Sequence, residues 1–125
     1  MKPKIPELID AICAEQLKII DSKEALESAF EEKFKFKTVG RREAFAECVP
    51  MLQQCVTFKD AWHVMKTINM MLKPKTRDMV WYHRNNSDMV NIQYGQFEVY
   101  KFLYETLHKN LTAYGNNRNC PVFEK

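Results

Sequence analysis

Glycine is scarce in this chain: only Gly40, Gly95 and Gly115, each isolated, occur in 125 residues. A loop that cradles phosphates needs clustered glycines, so Gly-rich phosphate sites are excluded. Long hydrophobic runs are also missing. The longest are a few residues, against the roughly 20 that a membrane-spanning helix needs. The N-terminal stretch MKPKIPELIDAI carries Glu7 and Asp10 where a signal peptide needs an uninterrupted apolar segment. An intracellular protein, cytoplasmic or nuclear, is expected. Cys13, Cys48, Cys55 and Cys120 form no CxxC pair and match no zinc spacing. Three of them lie in apolar helical stretches and read as buried thiols in a reducing compartment. Internal repeats and low-complexity blocks are absent.

Catalytic signatures are equally thin. Ser22, Ser28 and Ser87 fall at caps, helix faces or turns. A Cys–His pair is the only candidate nucleophile, but Cys48 and Cys55 sit on an apolar stripe, whereas a reactive thiol needs an electropositive, partly exposed setting. Asp78, His83 and Asp88 could meet at one turn, as polar trios do by chance. Cys48, Cys55 and His63 supply at most three ligands for a metal. No catalytic residue, no metal and no cofactor are expected, and the protein reads as not an enzyme.

What the chain does have is an ordinary globular composition, 46% apolar and 28% charged. A chain of this size buries about two-thirds of its unfolded surface, enough for one core. One domain over residues 1–114 is expected, followed by an irregular tail over 115–125. Charge is uneven although the net is only +3. Residues 1–32 hold four Lys against eight Asp and Glu, a net of −4. Residues 33–84 hold eleven Lys and Arg against four acids, a net of +7, and the remainder is neutral. An acidic end beside a basic middle implies a polarised surface.

Periodicity places a helix over 6–20, with Pro6 at its first position. Asp21 and Glu24 have capping-box spacing and suggest a second helix bearing Leu26, Ala29 and Phe30. In KFKFKTV, Lys33, Lys35 and Lys37 alternate with Phe34, Phe36 and Thr38, which suits a short strand or the end of a helix running into a loop. Gly40 punctuates the chain. A third helix opens near Arg41, with Phe45, Cys48, Leu52 and Cys55 on one face, and Pro50 predicts a kink or break near Val49. Thr57 and Asp60 then cap a helix from Phe58 to Leu72, which Pro74 ends. Phe58, Ala61, Trp62, Met65, Ile68 and Leu72 form its apolar face. MVWYHR and MVNIQY, on either side of RNNSD, read as a β-hairpin over 78–94, with a short helix over 77–84 as the alternative. A last helix carries Phe97, Tyr100, Leu103, Tyr104, Leu107, Leu111 and Tyr114 and ends at Gly115.

The sum is a mostly helical α+β fold of about five helices and one hairpin. Its order of elements over residues 22–94 resembles a winged-helix domain. That resemblance implies that the Phe58–Leu72 helix is the recognition helix and Arg84–Asp88 the wing. Lys59, His63, Lys66 and Lys73 share one face of this helix, Lys75 and Arg77 follow it, Arg84 sits at the wing, and Arg41 and Arg42 open the preceding helix. Such cations neutralise phosphates. A non-enzymatic nucleic-acid-binding or regulatory protein is expected. The alternative is a helical adaptor or inhibitor whose basic belt meets an acidic protein surface. Phe97, Tyr100, Tyr104 and Leu107 could join two copies into a homodimer.

Overall fold

The computed structural model describes residues 4–29, 33–84 and 89–116; the side chains of 33, 34, 76, 78–80, 82–84 and 116 fall outside that description. Helix α1 runs Ile5–Glu27, α2 Lys33–Gln53, α3 Phe58–Arg84 and α4 Met89–Asn116. Each has an apolar row at helical spacing. In α1 it is Ile5, Ile9, Ile12 and Ile20; in α3 it is Phe58, Ala61, Met65 and Ile68; in α4 it is Val99, Leu103, Leu107 and Leu111. Ala44, Cys48 and Leu52 of α2 complete one continuous core with them. Burying such rows, more than helix propensity, is what holds helices of this kind.

The parallel pair α2 and α4 forms the centre, and their contact is the most extensive in the molecule. α1 packs outside α2 and α3 outside α4, so the acidic first helix and the basic third helix lie on different flanks. Two glycines explain the closeness of the inner pair. A methyl group at Gly40 would collide with the backbone of Ile92 and Gln96, and one at Gly95 with the backbone of Lys37 and Arg41. Only hydrogen fits at this crossing. The helices then approach closely enough for Gln96 to donate to Glu43 at 3.0 Å and for the Tyr100 hydroxyl to donate to Glu47 at 3.0 Å.

Several expectations are corrected. The fold is all-helical, with no strand among the described residues, so the hairpin over 78–94 and the winged-helix arrangement both fall. Residues 78–84 close α3 and 89–94 open α4. Their β-branched and aromatic residues express only a weak strand preference, which packing overrides. The stretch that opens α4 lies against α2, where Gly95 meets the backbone of Lys37 and Arg41. The turn expected at 85–88 lies outside the described residues; of the tail expected over 115–125, residues 115 and 116 belong to α4 and 117–125 lie outside the description. KFKFKTV is the opening of α2, and the Lys–Phe alternation is no strand signal. Gly40 is a helix contact, not a break. Asp21 caps nothing; α1 runs through it. α2 continues past Pro50 to Gln53 and ends within one turn of it. α3 continues ten residues past Pro74 to Arg84. The segment beyond the proline is held laterally, because Lys75 Nζ donates to Gln93 Oε1 at 3.0 Å and Gln96 Oε1 at 2.7 Å on α4.

The cap at the start of α3 is as expected. Asp60 N donates to Thr57 Oγ1 at 3.2 Å, while the Asp60 carboxylate accepts from Val56 N and Thr57 N, both at 3.1 Å. These amide bonds pull the Asp60 carboxyl below its usual range.

Candidate polyanion-binding face

The nine basic residues singled out from the sequence separate into three groups. Arg41 is interior: its side chain is 2% exposed. Nη1 and Nη2 bind Glu27 bidentately at 2.9 and 3.0 Å, and Nε binds Glu98 at 2.8 Å. Lys23 reaches the same Glu98 oxygen at 3.1 Å. Burial alone would raise Glu98, but the hydrogen bonds and charge of Arg41, and then of Lys23, outweigh it and hold the carboxyl below its ordinary range. Arg41 therefore ties α1, α2 and α4 together. Arg42 is on the surface but is taken by α1, with Nε on Glu24 at 2.8 Å and Nη2 on Asp21 at 2.8 Å and on Glu24. Lys75 belongs to the glutamines of α4.

Lys59, His63, Lys66, Lys73 and Arg77 form the second group. All are exposed on α3, and among the described residues no carboxylate pairs with Lys59, Lys66, Lys73 or Arg77. With Met70, which is 70% exposed, they form a row spaced four, three, four, three, four along the helix. A seven-residue step drifts only about 20° around a straight α-helix, so the row stays on one face. At 1.5 Å per residue it is roughly 27 Å long, with Lys59, Lys66 and Lys73 about 10 Å apart. Arg84 is the third group, its side chain lying outside the described residues.

The reading from sequence missed two parts of this face. Trp81, four residues beyond Arg77, continues the row and is 58% exposed; assigning residues 78–84 to a strand removed it from the series. The second part is a surface hollow of about 660 Å³ at the N-terminal end of the row. Lys59, His63 and Lys66 line it together with Met51 of α2 and Gln54 just beyond that helix, and Trp62 is also in its wall. No local sequence signal brings residues 51 and 54 to residue 63. The turn at Gln54–Thr57, where Cys55 N donates to Leu52 O at 3.1 Å, does so. Trp62 is half-buried, stacked on Phe58 at 5.7 Å and tilted against His108 at 6.1 Å. It was expected in the core; it is packed against it instead, while Met65 is inside.

Neither Cys48 nor Cys55 is set up as a nucleophile. Cys55 lines the hollow, but burial, then nearby Asp60, pushes it up to about 11, and burial, then Glu47, pushes Cys48 up to about 12. Both stay protonated at neutral pH. Among the described residues no group of three or more His, Cys, Asp or Glu could hold a metal ion, and no described helix is long and apolar enough to cross a membrane. Tyr100 and Leu107, expected at a dimer contact, are buried in the core, and Phe97 and Tyr104 are half-buried beside them. No protein-family model, no curated protein and no solved structure matches this chain.

Proposed function

We propose that the protein is a small non-enzymatic nucleic-acid-binding protein that meets phosphates with the exposed face of α3. The observation that carries this reading is the row Lys59, His63, Lys66, Met70, Lys73, Arg77, in which four permanent cations have no acidic partner among the described residues. By contrast, Arg41 and Arg42 engage four carboxylates between them. Cations left unpaired in a file on one face are placed for an external polyanion. Helix α3 has six Lys and Arg against two Asp, while α1 has two Lys against six acids, so the ligand meets its field on the α3 flank.

The test is to change Lys59, Lys66 and Lys73 together to Gln. Gln keeps helix propensity and removes charge only. The triple variant should melt like the parent, yet its plot of log affinity against log salt should flatten by about two for single strands, from a slope of about −0.7 per phosphate contact. A parent protein that binds no nucleic acid even at low salt ends this reading. Met70 and Trp81, apolar and exposed in the same row, then favour a helical adaptor that docks an acidic protein surface.

A further inference from the structure

The α3 row borders a hollow, and a ligand that used the phosphates alone would have no use for it. Resting on the reading above, we infer that the ligand is a single strand of nucleic acid, with one unstacked base seated in the hollow beside His63 and Trp62. Three observations converge on this. The hollow, about 660 Å³, opens at the head of the cation file, so a backbone running along Lys66, Lys73 and Arg77 delivers a base to it. Its wall offers the exposed imidazole of His63 as a ring to stack on and the exposed Gln54 amide to meet a base edge. The file is one helix face wide, and it ends at a second partly exposed ring, Trp81. Aromatic platforms interleaved with a basic track are how single strands are held without sequence readout. A duplex keeps its base faces stacked internally and presents none to either ring.

Asp60 does not spoil the site for an anion, because its carboxylate is turned to the amides of Val56 and Thr57. Thr57 already caps the α3 N-terminus, its Oγ1 accepting from Asp60 N, so attraction at this end comes from Lys59 and Lys66.

The chain has two tryptophans, so Trp81→Phe leaves Trp62 as the sole indole reporter. Titrating this variant with oligothymidylate long enough to span the row should quench Trp62 emission. Affinity should exceed that for duplex of equal length by roughly tenfold, on the scale of one stacked base. His63→Ala, a change at an exposed position, should lower oligothymidylate affinity about fivefold or more, a loss well beyond any it causes in duplex affinity. Equal binding of single strand and duplex, with no quenching and no effect of His63→Ala, overturns the inference while the polyanion reading stands. Tighter binding of polyglutamate than of oligothymidylate overturns it in favour of an acidic polypeptide. If none of the three binds at low salt, both readings fail together.

Discussion

Arg41 shows how far a residue's role departs from its type. It sits next to the exposed Arg42 in a strongly basic segment, yet its guanidinium is enclosed by Glu27 and Glu98. A bidentate fork with a second carboxylate on Nε uses the geometry that Lys lacks. Breaking a buried pair by removing one partner leaves uncompensated charge, so Arg41→Met should destabilise by about 3 kcal/mol, the lower end of the range because Glu98 keeps some solvent contact. Urea unfolding at neutral pH measures it. The pH dependence has a definite sign. Glu98 has a folded-state value depressed below 4.5, so its stabilisation is complete above 4.5 and is lost as pH falls through the lower folded value. The gap between parent and Arg41→Met should therefore narrow in acid. A gap that stays constant from neutral pH to well below 4.5 would show that Arg41 acts by packing alone.

At the scale of elements, two residue types that usually interrupt helices have opposite consequences. Gly40 and Gly95 lie where α2 and α4 touch, and Ala at either would force the backbones apart. The helix-propensity gain of about 1 kcal/mol is then outweighed by overpacking of about 1–3 kcal/mol or more. Pro74 is exposed on α3. Pro74→Ala restores a backbone bond and removes a clash worth about 3 kcal/mol in a helix interior. The expected outcome is that thermal melting falls for Gly40→Ala and Gly95→Ala and rises for Pro74→Ala. A rise for the glycine variants would mean that α2 and α4 do not cross at these positions.

For the whole molecule, the aromatic stripe of α4 is the relevant feature, because it determines whether one copy is complete. Tyr100, Leu103, Leu107 and Leu111 are enclosed by the other three helices of the same chain. A contact between copies through Tyr100 and Leu107 would require the core to open. Light scattering at high concentration should show no dimer through this stripe, and Leu107→Ala should cost about 2–5 kcal/mol of stability without changing mass. A parent dimer that Leu107→Ala converts to a folded monomer would reverse this view. Polarity is the second whole-molecule property: α1 and α3, of opposite net charge, are kept on different flanks by the inner α2–α4 pair.

The amino-acid sequence by itself determined the apolar rows, the Thr57–Asp60 cap and the basic file on α3. Each depends on residues within a turn or two of one another, where periodicity and hydrogen-bonding type suffice. Tertiary structure alone decided the rest. Whether Gly40 and Gly95 ended helices or joined them depended on a partner some fifty residues away. Whether MVNIQY became strand or helix depended on its partner α2, where the backbone of Ile92 lies against Gly40, since local preference there is worth only tenths of a kcal/mol per residue. The same holds for charge. Arg41 and Lys73 are both cations in one basic segment, but only the fold brings Glu27 and Glu98 around the first and leaves the second facing solvent.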